Sequence, residues 1–235
     1  MGEITVSLQE VVAFGSERVG LLDCPDRYQP RPGQYLPAQR VEEKPVPLPV
    51  SLFKVFDDNG GGRLAPLPED WLPGDRIALR PPQGRGFCLP DAARAVGLLA
   101  VGVSPLRLLA LLGPALAQDA AVTLFCEPLP PEDLLRRLPA AVEVSPAQSL
   151  VENLDWPDFL AVDVPHSVLA RLPGFLGLGE GHRFLPFGGQ ILVRVDIPCH
   201  GLGTCGVCAV ETSRGWRLAC VDGPVFPLME ILDVA

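Results

Sequence analysis

The chain has 235 residues, 48% of them hydrophobic and 20% charged, with 27 prolines and 24 glycines. That is enough to bury a sizeable core, and it argues against pervasive disorder. A formal charge of −9 without any basic cluster argues against a nucleic-acid partner, because duplex binding depends on concentrated lysine and arginine.

No run approaches the roughly 18 apolar residues that span a bilayer. The opening "MGEITVSLQEVVAF" has no charged-then-apolar leader pattern, so no membrane span and a cytoplasmic location are expected.

Residues 1–90 carry short β-rich runs, "EITVSLQEVVAF", "ERVGLLDC", "VSLFKVF" and "DRIALR". They are separated by turn-rich stretches such as "DDNGGGR" and "LPGD". Short strands with this punctuation predict an N-terminal antiparallel β-barrel. Over 91–196 the texture changes. "AVGLLAVGV", "AVTLFCE", "DFLAVDVP" and "QILVRVDIP" read as strands, while "PLRLLALLGPALAQ" and "PPEDLLRRL" have helical character. Strands alternating with helices predict a central α/β domain with a parallel sheet. Residues 197–235 form a cysteine-rich tail.

Four of the seven cysteines lie in that tail. Cys199, Cys205, Cys208 and Cys220 give C-x5-C-x2-C-x11-C. Plant-type [2Fe–2S] proteins use C-x4-C-x2-C and a distant fourth cysteine, so the second gap agrees and the first is one residue longer. The intervening "GLGT" lets backbone wrap closely around a cluster and aim N–H groups at sulfur. Four thiolates also suit zinc, although zinc ribbons usually carry two C-x2-C knuckles and only Cys205–Cys208 forms one here. A redox dithiol or unliganded buried cysteines are the remaining readings. His200 stands where the usual spacing would put the first ligand. The favoured reading keeps Cys199 as that ligand and His200 as its hydrogen-bonding neighbour.

The stretch "CHGLGTCGVCAVETSRGWRLACVDGPVF" resembles the cluster-binding tail of the electron-transfer subunit of class 1B dihydroorotate dehydrogenase, most specifically in its closing "CVDGPVF". That family belongs to the ferredoxin–NADP reductase superfamily, and its order of regions is the one read above. The resemblance implies a [2Fe–2S] cluster, FAD in the barrel, and a partner: an FMN-containing dihydroorotate dehydrogenase catalytic subunit in a heterotetramer. Electrons would pass from that subunit through the cluster and FAD to an acceptor, and no acid or base in this chain is required.

The resemblance also assigns cofactor contacts. "RPGQYLPAQ" matches the family's Pro-Gly-Gln-aromatic segment and makes Tyr35 a flavin contact. "LPVSLFKV" matches the Arg-Pro-x-Ser stretch at Pro49, Ser51 and Leu52. Leu48, however, stands where the family has the arginine that pairs with the pyrophosphate, and leucine cannot supply that charge. "PPQGRGFCL" matches a glycine-rich segment at Gly84, Gly86 and Phe87, with Arg85 as a candidate substitute cation.

For NAD(H) the family expects a glycine-rich turn. This chain has "LLAVGVSPLRLLALL", in which Gly102 and Pro105 persist, Ser104 is placed to cap a helix, and Ala100, Val101 and Val103 replace glycines. The later Cys-Gly-Pro landmark is absent from "AVDVPHS". The expectation is a retained α/β architecture with NAD(H) binding weakened or lost.

Cys24, Cys88 and Cys126 read as core fillers. His166 and His182 read as surface or capping residues. The acidic pairs at 42–43, 69–70 and 132–133 read as solvated turns and helix starts. Two other functions compete: an NAD(P)H-oxidising subunit of a hydrogenase or transhydrogenase-type complex, and a non-redox scaffold holding a structural metal.

Overall fold

The structure is a computed structural model that describes residues 2–41, 48–58, 61–178 and 185–234. The acidic pair at 42–43 and His182 lie outside the described residues.

Six strands close the N-terminal barrel: β1 (Ile4–Phe14), β2 (Glu17–Leu22), β3 (Tyr35–Arg40), β4 (Val50–Asp58), β5 (Gly61–Ala65) and β6 (Arg76–Leu79). Their order around it is β1-β2-β5-β4-β3-β6, antiparallel throughout. Closure leaves no open sheet edge. Side chains of one face, among them Leu8, Leu36, Leu52, Leu64, Ile77 and Leu79, fill the interior. All four predicted barrel runs are strands. Two more complete the barrel: β3, the strand that follows the Pro32-Gly33 turn of "RPGQYLPAQ", and β5, inside the glycine run that reads as a turn.

The second domain begins at β7 (Ala95–Val101) and continues through β8 (Ala121–Glu127), β9 (Val142–Pro146), β10 (Phe159–Pro165) and β11 (Gly188–Arg194). These five strands are parallel. β7 and β10 are buried along nearly their whole length, as continuous apolar strands covered on both faces should be. The sheet order is β14-β11-β10-β7-β8-β9. The chain therefore runs outward one way from β7 to β9 and the other way from β10 to β11. The reversal falls between β7 and β10, and in open α/β sheets the ligand crevice forms at the carboxyl ends of such strands.

The expected long helix after β7 is broken into 3-10 turns at Pro105–Arg107 and Leu109–Leu111, followed by α1 (Leu112–Ala117). Pro114 has no N–H to donate and is tolerated only in a first turn, so α-helical bonding restarts at Leu112. α2 (Glu132–Leu135) does start on the acidic pair, with Glu132 and Asp133 in its first turn. α3 (Leu172–Phe175) follows β10.

In the tail, β12 (Ala209–Val210) and β13 (Arg217–Leu218) form a small hairpin. β14 (Val225–Pro227) then pairs antiparallel with β11, and α4 (Leu228–Leu232) packs behind it. The end of the "CVDGPVF" motif is thus the edge strand of the α/β sheet, and the cysteine loop is clamped between that sheet and the barrel. No helix is long and apolar enough to cross a membrane among the described residues.

Candidate functional site

The cysteine loop follows β11. Its backbone is left-handed at His200, Gly201, Gly203 and Gly206, so the chain coils on itself and turns N–H groups inward. The Sγ atoms of Cys199 and Cys220 are 3.9 Å apart. Two thiolates on one tetrahedral metal with bonds of about 2.3 Å stand about 3.8 Å apart, so this spacing suits a shared metal centre. The Cys220 N–H donates to the Cys208 sulfur over 3.4 Å. Cys208 and Cys220 are buried, whereas Cys205 is exposed at the loop tip.

Burial works to raise the Cys199 thiol, but N–H groups of Gly203 and Leu202 together with the Cys205 and Cys220 side chains outweigh it and bring the thiol down to about 7. Burial and the neighbouring Cys208 and Cys199 push Cys220 up to about 12. Crowded thiols that resist ionising together, with N–H groups aimed at sulfur, are a donor set that a cationic metal centre would relieve. The residues fit an iron–sulfur cluster in chemistry. Among the described residues, however, no group of three or more His, Cys, Asp or Glu side chains is gathered tightly enough to hold a single metal ion.

The barrel grips this loop. Tyr35 is fully buried, and its hydroxyl donates to the Cys220 carbonyl over 3.2 Å. The Arg85 N–H donates to the Gly223 carbonyl. Gly84 sits at φ +73°, and a Cβ there would lie 2.6 Å from the Gly223 oxygen. Gly201, at φ +93°, has a Cβ position 2.9 Å from the Gln83 Oε1. The positive φ at both positions calls for glycine.

Beside the loop a cleft of about 950 Å³ opens between the two domains. Its walls come from Pro49 and β4 (Ser51, Phe53), from the end of β10 and the chain after it (Pro165, His166, Ser167), from the end of β11 (Arg194), and from the tail (Pro198, His200). The cleft lies at the switch point of the sheet. A smaller cavity of about 450 Å³ adjoins it, lined by Gly102, Val103 and Ser104 after β7 and by Glu17 and Arg18 of the barrel. Arg107 and Arg194 line both. Arg194 grips the buried Asp163 with two bonds, Nε to Oδ1 at 2.8 Å and Nη2 to Oδ2 at 2.6 Å, and Nη2 also reaches the Ser104 carbonyl at 2.8 Å.

Of the residues assigned to the flavin, Pro49 and Ser51 reach this cleft. Leu52, their neighbour, points into the barrel core, because successive strand residues face opposite sides. Tyr35, Gly84 and Phe87 are at the junction with the tail, where Gly84 abuts Gly223 and the Phe87 ring packs beside Gly33 and Val225, whereas Gly86 abuts the Pro32 carbonyl within the barrel domain. Arg85 is exposed and does not line the cleft. Leu48 lies at the cleft rim, largely exposed.

His200 is buried, with Nδ1 2.9 Å from the Pro198 carbonyl, so its ring is engaged with backbone. Ser104 holds the N-cap position but makes no capping bond through its side chain. His166 is exposed at the cleft. Cys126 is buried, Cys24 half-buried and Cys88 exposed, so only the first is a core filler. The sequence does not single out Arg107, which the fold buries at the wall of both cavities. Its one sequence signal is an arginine within an otherwise apolar "PLRLLALL".

Residues 199–232 match the family described as the iron–sulfur cluster binding domain of dihydroorotate dehydrogenase B. The gamma subunit of sulfhydrogenase 1 from Pyrococcus furiosus is 25% identical over 242 aligned positions, which cover 86% of this chain and 81% of that one. Among solved structures, an NADH-dependent reduced ferredoxin–NADP oxidoreductase studied for flavin-based electron bifurcation superposes with a TM-score of 0.72 at 18% identity, covering 97% of this chain and 90% of that one. Phthalate dioxygenase reductase, described as modular for electron transfer from pyridine nucleotides to [2Fe–2S], gives 0.59 at 11%, with 93% and 94% covered.

The fold is therefore like that of these reductases, and residues 199–232 match an iron–sulfur cluster binding domain. The tail is of the dihydroorotate dehydrogenase B kind, as the "CVDGPVF" resemblance implied.

Proposed function

We propose that this protein passes electrons from an FMN-containing dihydroorotate dehydrogenase catalytic subunit to an acceptor. A [2Fe–2S] cluster would be held by Cys199, Cys205, Cys208 and Cys220, and FAD would lie in the interdomain cleft. The three working units are a flavin barrel over 1–90, an α/β domain over 91–196 and a cluster segment over 197–235, and the assembly is a heterotetramer in the cytoplasm. The observation that carries this reading is the four-cysteine loop, within the matched tail, lying against a cleft at the sheet's switch point.

Bound there, the two cofactors would supply one-electron transfer, chemistry no side chain of this chain provides. The protein's own residues do the rest. Tyr35, Gly84 and the Arg85 backbone fix the cysteine loop to the barrel, so the cluster segment and the cleft keep one spacing. Gly203, Leu202 and Cys220 turn N–H groups toward sulfur, which stabilises thiolate charge. Pro49, Ser51 and Phe53 offer a wall on which a flat ring can lie. Leu202, Val207, Trp216 and Val221 are exposed apolar side chains of the cluster segment, and a face of that kind suits cover by another protein. With Val103 in place of glycine at the nucleotide turn, NAD(H) is not the proposed acceptor.

The relative from Pyrococcus furiosus supports a second reading, in which the same relay serves a hydrogenase-type complex. Anaerobic purification followed by iron, sulfide and acid-released flavin assays tests the cofactors. Two irons, two sulfides and one FAD per chain are expected, and zinc without sulfide would move the chain to the scaffold reading. Reduction of the cluster by dihydroorotate only when the FMN subunit is added supports the first partner. Reduction by hydrogen with a hydrogenase subunit supports the second.

A further inference from the structure

Position 48 removes the charge with which the family holds a diphosphate, and Arg85 does not reach the cleft. A different arginine does. Arg107 follows β7 at the switch point and is 9% exposed. Its guanidinium carbon lies 3.9 Å from the centre of the Phe53 ring of β4, so it spans from the α/β domain to the barrel. Its Nε is buried without a hydrogen-bond partner. A buried guanidinium normally has its donors satisfied, and an orphaned one costs stability.

The nearby carboxylates do not take that donor. Asp163 has both oxygens engaged by Arg194. Glu17 faces the smaller cavity and contributes only a through-space field at Arg107. Arg107 forms the wall shared by the two cavities, beside a second arginine and against an aromatic face. A forked donor with a free N–H, held rigid and desolvated, is the geometry that recognises phosphate oxygens.

We propose that Arg107, backed by Arg194, is the phosphate-recognising cation of the interdomain cleft and takes the diphosphate of a dinucleotide cofactor in place of the arginine missing at position 48. The two sources of that diphosphate are FAD in the larger cavity and a nicotinamide dinucleotide in the smaller one. The FAD assignment rests on the function proposed above, whereas the anion site itself does not.

The test uses the full chain stripped of flavin, as wild type, Arg107→Met and Arg107→Lys. FAD binding is followed by quenching of flavin fluorescence, NADH binding by calorimetry, and inorganic diphosphate binding by the shift in unfolding midpoint. Loss of a charge-assisted contact predicts FAD affinity weakened roughly ten- to hundred-fold in Arg107→Met, partly restored in Arg107→Lys, with an unliganded midpoint no lower than that of wild type and the iron content unchanged. If NADH affinity responds instead, the site stands with the nicotinamide dinucleotide as its source. If wild type binds no FAD but diphosphate stabilises it and not Arg107→Met, the flavin reading fails and the anion site stands. Equal affinities of wild type and Arg107→Met for FAD, NADH and diphosphate overturn the proposal while leaving the relay intact. So does a loss in Arg107→Met matched by a lowered unliganded midpoint and no recovery in Arg107→Lys, since that makes Arg107 a purely structural strut.

Discussion

Tyr35 and Cys220 are 185 residues apart in sequence and joined by one buried hydrogen bond of 3.2 Å, from the tyrosine hydroxyl to the cysteine carbonyl. Burial, and then the neighbouring Cys220, Cys199 and Cys208, keep that hydroxyl protonated well above the ordinary tyrosine value. Tyr35→Phe keeps the ring and leaves a buried carbonyl without its donor. The expected cost is about 1 kcal/mol, read as a drop of about 2–4 °C in the unfolding midpoint of a chain this size. Iron should also leave faster under a chelator, because the loop loses a tether. An unchanged midpoint with unchanged iron release would show that the bond ties nothing down.

Gly84→Ala tests the same junction through the backbone. A Cβ at φ +73° meets the Gly223 oxygen at 2.6 Å, and the left-handed conformation alone costs an L-residue about 1–2 kcal/mol. The cysteine segment should become sensitive to limited proteolysis before the barrel does. Equal cleavage rates in variant and wild type would mean that the segment is held by other contacts.

The cysteines divide into two sets with opposite expectations. Cys199→Ser, Cys205→Ser, Cys208→Ser and Cys220→Ser should each lose most bound iron and sulfide. Cys24→Ser and Cys88→Ser should keep them. Cys126→Ser should also keep them, at a stability cost of about 1–3 kcal/mol, since a hydroxyl replaces a buried thiol that burial has pushed up to about 12. Full iron in Cys199→Ser with loss in a His200 variant would transfer the first ligand to His200.

How much of this was legible in the sequence follows from where the signal is local. β1 and β7 announce themselves by alternation and by an unbroken apolar run, and the barrel and parallel sheet follow from such patterns. β5 did not, because its glycines read as a turn until a partner strand pairs with them. The helix after β7 looked continuous because Leu and Ala are strong helix formers, but Pro114 fixes where α-helical bonding can start. The cluster motif was readable because its residue types are the chemistry. The flavin contacts were less so: Leu52 and Ser51 are adjacent yet face opposite sides of β4, and Tyr35 turns to the cysteine loop. Arg107 has no motif at all. Its role arises from burial and from a missing partner, which only the fold creates.

Asp163→Asn should destabilise the α/β domain by about 3–5 kcal/mol, because it leaves Arg194 buried without its counter-charge. The carboxylate is fully buried, and both its oxygens are bonded to that guanidinium. Replacing both residues, as Asp163→Leu with Arg194→Met, should cost less than the single change, since removing a buried pair together also removes its desolvation penalty. Chemical denaturation of the three proteins decides it, and a double variant worse than Asp163→Asn contradicts the argument.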